Sequence, residues 1–414
     1  MSDEPAETPP IAAGPASAAI SRGKKASLFE RLGAPRSAWR SVLVTALAFL
    51  TALIIGAVLI ASTDPRVLSH WSYVSSDVGG ALSATWNAIY AAYSALFSGA
   101  FGSTYALSET VVQATPLIFT GLAVGLAFQA GMFNIGGEGQ VIVGGLASAA
   151  VAFSFPGLPA VIYLPLAVLA GFVGGAAWGL IPGFLKAKTG AHEVITTIML
   201  NFIATYLLIY FLSGSFYRRP GRTDQISKIV DSPARLPHLA GASLRVHAGI
   251  ILALLAAASV WWLLNRSTKG FEIRAVGSNP DAARTAGISV AGTWVFVMIL
   301  AGGLAGLGGA NQLLGVQYSL TPGFSGGLGF DAIALALLGR AKPAGIVAAA
   351  FLFGALRAGA IQMQAVTSIP TEIVVVIQAL IIIFVAAPEL VRAMYRIRAR
   401  PAVEAQVLAK GWGG

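Results

Sequence analysis

Cysteine is absent from the 414 residues, and charge is scarce: 11% of positions are Asp, Glu, Lys or Arg. Without a thiol there is no disulfide, no thiolate nucleophile and no Cys-ligated metal. A soluble chain carries about 25% charged residues. With 56% hydrophobic positions and a mean hydropathy of +0.76, this chain has too little polar surface for a water-soluble globule, and lipid is the solvent that fits it. Histidine is sparse too. His70, His192, His238 and His247 are scattered without ligand spacing, and no carboxylate pair is placed for acid–base work. The expectation is therefore a non-enzyme with no catalytic residue, no metal site and no cofactor. A Gly-x-x-x-x-Gly-Lys-Ser/Thr loop is also missing. The chain cannot bind ATP in that mode, so energy for any transport has to come from a partner or an ion gradient.

What is plentiful is glycine, at 48 residues. In water this would weaken helices, but in a bilayer small residues let helix backbones approach closely. The net charge of +10 is spread over the ends of apolar runs, as the positive-inside rule expects, and is not pooled in a nucleic-acid-binding domain.

A bilayer core takes about 20 apolar residues per helix. On that measure spans fall near 41–62, 110–130, 138–155, 160–185, 193–213, 247–264, 291–315, 327–339, 343–364 and 371–387. The eighth is too short to cross comfortably and reads as tilted, broken or re-entrant, which requires protein around its backbone. The run at 41–62 begins too late and is too long for a cleaved signal peptide. The expected architecture is an all-α polytopic transmembrane helical bundle of about ten spans, with room for broken or re-entrant helices and two internal repeats. Its regions are a Pro/Ala/Ser-rich N-terminal tail at 1–40, expected to be disordered, a membrane domain at 41–390 with a cytoplasmic loop at 265–290, and a C-terminal tail at 391–414.

Placing the N-terminus inside and alternating puts Lys186, Lys188, Arg266, Lys269, Arg274, Arg284, Arg340, Lys342 and the tail arginines 392, 396, 398 and 400 on the cytoplasmic side. One connection disagrees. Residues 214–246 fall outside yet carry Arg218, Arg219, Arg222, Lys228, Arg235 and Arg245. The uncharged stretch 79–101 is expected to lie along the outer interface; if it crossed, the sides of all later loops would exchange.

Three stretches carry chemistry. Gly131-Met-Phe-Asn-Ile-Gly-Gly-Glu-Gly-Gln140 interrupts two apolar runs with glycines, an amide and a carboxylate. It reads either as unwound backbone facing a polar solute or as a tight turn with Glu138 at a helix N-terminus. In Thr189-Gly-Ala-His-Glu-Val-Ile-Thr-Thr-Ile-Met-Leu-Asn201, adjacent His192 and Glu193 do not make a metal pair, and Asn201 lies deeper with an amide to offer. In 268–288, Asn279 and Pro280 open a short helix carrying Asp281 and Arg284, a compact knob suited to a groove in a soluble partner or an ordinary solvated loop. A fainter feature is the echo between GGEGQVIVGGLASA (136–149) and GLGFDAIALALLGR (327–340), which transporters with two repeats would show.

Together, GMFNIGGEGQ, HEVITTIMLNFIA and FEIRAVGSNPDAARTAGI resemble the permeases of bacterial ABC importers for nucleosides and simple sugars, a superfamily that includes the branched-chain amino-acid permeases. The likeness runs from about 107 to 388 and leans to the nucleoside branch. It implies a multi-pass protein of the bacterial inner membrane with both termini cytoplasmic. The implied partners are a cytoplasmic ABC ATPase subunit, a second permease chain and an extracytoplasmic solute-binding protein or lipoprotein, within membrane lipid and without nucleic acid. It also implies a solute path near Phe133, Asn134, Glu138, Gln140, Asn201, Asn311 and Gln312, and an ATPase-coupling element containing Glu272, Arg274, Asn279, Asp281 and Arg284. Aromatic and amide side chains such as Phe128, Phe202, Gln317 and Tyr318 suit a nucleoside. A sugar would use the same amides with less stacking. An ion-coupled secondary transporter would instead use Glu138, Glu193, Asp331 and Glu372.

Overall fold

The computed structural model describes residues 34–241 and 243–396. Of the tails expected at 1–40 and 391–414, residues 1–33 and 397–414, with Arg398 and Arg400, lie outside the described residues, while 34–40 begin the first helix and 391–394 end the last. Helix α1 (Ala34–Thr63) runs from the end of the bundle where the described residues begin and end, the near end, to the opposite, far end. There α2 (Pro65–Ser72) begins at Asp64, whose carboxylate accepts from the Arg66 N–H. Trp71 then donates to Thr85 of α3 (Val78–Phe101). Helix α4 (Thr104–Gln129) descends to the near end. The next hairpin is α5 (Gly137–Ser154) and α6 (Ala160–Thr189), tied at the far end by Tyr163 Oη donating to the Ala152 carbonyl at 2.6 Å.

Helix α7 (Glu193–Ser213) returns to the far end and α8 (Gly249–Arg266) descends from it. At the near end lie α9 (Thr268–Ser278) and α10 (Pro280–Thr285). Helix α11 (Val290–Asn311) climbs again and runs on as a π-helix over Gln312–Gln317. The last passes are α12 (Leu328–Leu338), α13 (Pro343–Thr367) and α14 (Glu372–Ala386), followed by a short α15 (Pro388–Met394). Helix α14 runs antiparallel to α1, with Ile377, Ile381 and Phe384 packed on Val44, Ala48 and Ala52.

Among the described residues, seven helices are long and apolar enough to cross a membrane. The shorter α5, α12 and α14 bring the passes to the expected ten. Glycine explains how they pack. Helices α6 and α11 cross antiparallel along Gly171, Gly175 and Gly179 against Gly302 and Gly306, where a Cβ on Gly175 would overlap the backbone of α11. Lipid gives no hydrophobic force between helices, so this close contact is the main source of cohesion. Helix α4 is the hub, with 83% of its apolar window buried.

Two elements need comment. Helix α12 has 11 residues, about 16 Å at 1.5 Å per residue, half of a roughly 30 Å hydrocarbon core. The chain returns to it from the far end through the non-helical stretch 318–327, covered by protein as buried Phe324 shows. Helix α12 is therefore the helical half of a broken pass, one of the three forms expected for it. Helix α3 departs from expectation. It does not lie along the interface but inserts between α1 and α13. Tyr93 Oη donates to the Leu53 carbonyl near the middle of α1, and Leu96 and Gly99 pack on Gly359 of α13. Helices α3 and α4, broken at Gly102 and Ser103, make one pass together, so the sides of later loops do not exchange. Small residues serve as its contact surface: Ala81, Ala92, Ala95 and Ala100 are buried, and Gly99 lies against α13.

The basic segment 214–248 sits at the far end, opposite α9 and α10. Its backbone is sewn onto the re-entrant region: the N–H groups of Ser227, Val230 and Leu236 donate to the carbonyls of Leu320, Tyr318 and Leu314 at 2.9 Å. Several of its cations are used locally. Arg222 pairs with Asp224 at 2.7 Å, Arg219 donates to the Ser227 carbonyl, and Arg245 pairs with Glu109 at 3.0 Å and reaches the Val316 carbonyl.

Candidate functional site

The GMFNIGGEGQ stretch is unwound over 132–136, with Met132, Asn134 and Gly136 buried, and helical from Gly137. Helix α4 ends at Gln129, Gly131 takes a φ of 70° open to glycine, and residues 132–136 run back into the bundle to the start of α5. Freed backbone at this depth must be satisfied by protein, and it is. Asn201 of α7 donates to the Ile135 carbonyl at 3.0 Å and accepts from the Gly139 N–H at 2.8 Å. Asn134 and Gln140 exchange a reciprocal amide pair at 2.9 and 3.1 Å. Phe133 stacks edge-on against Phe128 with centroids 5.3 Å apart, and it is the most exposed member of this group at 37%.

The first turns of α5 and α12 meet head to head. A Cβ on Gly329 would overlap the backbone of Gly137 and Glu138. Neither N-cap, Gly136 or Gly327, has a side-chain cap, and two positive helix ends converge. Glu138 resolves both problems. Its carboxylate accepts from the Gly329 N–H at 2.8 Å and from the Ser325 hydroxyl, so a residue of α5 caps α12. The sequence echo of 136–149 and 327–340 thus corresponds to two half-helices that start at one junction and run to opposite ends. Ser325 and Gly329 were not singled out from the sequence. The glycines of 326–329 were the available signal, without the pairing.

Two of the other candidate acids, Glu193 and Asp331, are also held by the chain itself. Glu193 pairs with Lys186, which lies 4.8 Å from the centroid of Trp294. Asp331 pairs with Arg357 at 2.7 Å. Asn311 and Gln312 form a second group, toward the far end where α11 becomes π-helical. Gly309, two residues before Asn311, packs on Val141, one turn after Glu138. Asn311 is buried, and neither atom of its amide has a partner among the described residues. Beside it is His247, which sequence spacing gave no reason to select. A Cβ on Gly249 would overlap the Asn311 amide and come within 2.7 Å of His247 Nδ1. The Gly249 N–H donates to Nδ1 at 3.2 Å, which leaves the imidazole proton on Nε2.

Burial, then the neighbouring charges of His238 and Arg245, lower the His247 pKa from 6.5 to about 4. The sign follows from linkage. Between pH 6.5 and 4 the unfolded chain binds the proton and the folded chain does not, so stability is complete above pH 6.5 and declines as pH falls toward 4. The thermal midpoint of the purified protein should fall across that window, and less steeply in His247→Asn, whose amide oxygen can replace Nδ1. Parallel curves would refute this assignment.

At the near end, α9 and α10 bring together Glu272, Arg274, Asn279, Asp281 and Arg284. Asn279 Oδ1 accepts from the N–H groups of Asp281 and Ala282, both at 3.0 Å. Asp281 pairs with Arg284 and Glu272 with Lys269, each at 2.8 Å. A small core of Val276, Ala283 and Val290 fixes α10 to the start of α11. Gly277 lies against the Gln129 carbonyl and Gly131, so this knob touches the turn from which the unwound segment departs.

A ten-pass bundle with two half-helices meeting at its interior and a polar knob at one end defines a multi-pass membrane transport protein. Residues 106–386 match the family described as branched-chain amino acid transport system / permease component, and the chain belongs to that family, as a membrane-spanning permease subunit of an ABC transporter. It is similar to the guanosine ABC transporter permease protein NupP of Bacillus subtilis (45% identical over 72% of this chain and 86% of the relative). It is also similar to the nucleoside ABC transporter permease protein NupB of Lactococcus lactis (40%, over 73% and 85%) and to a glucose ABC transporter permease protein of Haloferax volcanii (39%, over 74% and 82%). No solved structure matches the chain. Membership implies an ATPase subunit and a binding protein as partners in general.

Proposed function

We propose that this chain forms, with a second permease chain, the pore of an ATP-driven importer of nucleosides in the bacterial inner membrane. Both termini and the α9–α10 knob face the cytoplasmic ATPase, and the far end faces the solute-binding protein. The observation that carries the substrate class is the 45% identity to a guanosine permease over most of both chains. The site chemistry agrees: the buried amide of Asn311, which has no partner among the described residues, is neutral. Asn311 and Gln312 face the solute beside the Phe133 ring, while Asn134, Glu138, Gln140 and Asn201 hold the broken backbone beside it. An amino acid would need charge-complementary ends, and the acids at the junction are already engaged. A simple sugar is the second reading, favoured by the likeness to a glucose permease.

Motion of the knob would reach the path through Gly277, the Gln129–Gly131 turn, the unwound segment and the α5–α12 junction. Each end state must differ in its contacts for ATP to bias it. The mechanism is tested in proteoliposomes holding the permease, its ATPase and binding protein. Nucleoside uptake should require ATP and survive an ionophore. Uptake that persists without the ATPase and collapses with the ion gradient would overturn the reading in favour of a secondary transporter.

A further inference from the structure

Charge inside a bilayer is costly and is retained where it faces protein or water. The pair of Asp331 and Arg357, 2.7 Å apart, lies at such a depth. Asp331 is the fourth residue of α12, whose first turn meets that of α5 inside the bundle. Arg357 comes ten residues before Thr367, the last of α13, which is about 15 Å at 1.5 Å per residue and half of a roughly 30 Å hydrocarbon core. The other five ion pairs among the described residues lie toward the two ends of the bundle. Yet the side chains of Asp331 and Arg357 remain 26% and 23% exposed.

The backbone beside the pair points the same way. The Gly326 carbonyl accepts from Arg357 Nη2 at 3.2 Å. Gly326 is exposed, and a Cβ on Gly326 or Gly327 would meet nothing within 4 Å. Non-helical backbone at membrane depth is tolerated only under protein or beside water. Two features that lipid would not accept thus share one face. Ile361 and Gln364, one and two turns beyond Arg357 on α13, are exposed too and continue this face to the far end.

The pair also has hydrogen-bonding capacity to spare. Both contacts of the Arg357 side chain use Nη2, to Asp331 Oδ2 and to the Gly326 carbonyl. Arg357 Nε and Nη1 and Asp331 Oδ1 have no partner among the described residues. Glu138, by contrast, spends both carboxylate oxygens. Guanidinium donors and a carboxylate acceptor therefore lie side by side in a unit with no net charge. Vicinal hydroxyls match it, since each can donate to the carboxylate or accept from the guanidinium. A charged solute would have to break the ion pair.

We propose that Asp331 and Arg357 form a binding subsite for vicinal hydroxyls of the solute, on a water-filled path at mid-depth. It rests on the reading of the chain as a transport subunit, and it applies to a ribonucleoside and to a simple sugar alike, because both carry such hydroxyls. Through the Gly326 carbonyl, the subsite is joined to the non-helical stretch before α12.

Because the chain has no cysteine, one introduced thiol reports its own surroundings, and it reacts as the thiolate, which needs water. The test compares Ile361→Cys with Val58→Cys, on the exposed apolar face that α1 forms with Leu50 and Ile54. Both are labelled with a membrane-impermeant thiosulfonate in nanodiscs holding the complete permease–ATPase complex. Ile361→Cys is expected to react at least 10-fold faster. Guanosine should slow it and 2′,3′-dideoxyguanosine should not. Asp331→Asn and Arg357→Gln, each added to Ile361→Cys, should remove the protection and leave the unprotected rate. Equal rates at the two positions would overturn the proposal, since the face would then be covered. Equal protection by both nucleosides, or protection that survives both substitutions, would overturn it as well. Protection by glucose and not by guanosine would support the subsite and count against nucleosides as the solute. Labelling that ignores guanosine and glucose alike, in a complex that still imports guanosine, would sink the subsite alone, whereas a complex that imports nothing would count against the transport reading.

Discussion

Replacing Glu138 by Ala should destabilise the protein more than any other single change at the junction and abolish transport. The variant leaves the Gly329 N–H and the Ser325 hydroxyl buried without an acceptor, at about 1–3 kcal/mol for each orphaned group. It also removes the negative charge between two converging helix ends. The combined loss is on the order of 2–5 kcal/mol, enough to lower the thermal midpoint in detergent and the yield of monodisperse protein. Glu138→Gln keeps an acceptor for Gly329, and its amide can donate to Ser325, so it should fall between Ala and wild type. This order separates two roles for Glu138. A residue that braces α12 loses stability first and transport in proportion. A residue that binds solute would leave the midpoint of the Gln variant at the wild-type value and raise the KM for uptake. Measuring both on the three proteins decides between them.

The second large effect is expected at α10. Side chains of Asp281 and Arg284 are 88% and 65% exposed, and ion pairs of this kind contribute roughly 0.2–1 kcal/mol to a fold. Arg284→Glu should therefore leave the thermal midpoint nearly unchanged. If the knob docks into the ATPase, the same substitution should cut ATP-dependent uptake by at least about 10-fold, because a like charge now faces the groove and Asp281 is left unpaired. Hydrolysis by the assembled complex should continue without responding to solute. Ala283→Asp provides an independent check: a carboxylate among Val276 and Val290 should free α10 from α11 and produce the same uncoupling with the spans intact. Normal coupled uptake by both variants would remove α10 from the mechanism.

The ten passes were legible in the sequence because span length and hydropathy are local properties. Even the short α12 was marked by its 11 residues. The echo around Glu138 and Asp331 was legible as a pattern, but its meaning was not. That Glu138 reaches Gly329 depends on two segments nearly two hundred positions apart meeting end to end, which no window of sequence reports. Helix α3 was misplaced for a related reason. An uncharged, largely apolar helix suits an interface as well as an interior, and only its contacts on α1 and α13 show that its small residues are a packing surface. His247 and Asn311 became a pair only when the π-helical turn set them against one glycine. The basic segment 214–248 was visible as an exception to the charge rule, and the structure locates it firmly at the far end.

The central claim is ATP-driven transport of nucleosides through this chain. Its most direct measurement is uptake of radiolabelled guanosine by proteoliposomes containing the permease, its ATPase and its binding protein, with unlabelled adenosine, ribose, glucose and leucine as competitors. The expected result is ATP-dependent uptake that adenosine suppresses and that ribose, glucose and leucine leave unchanged. Uptake that fails for guanosine and appears for a sugar or for leucine would contradict it.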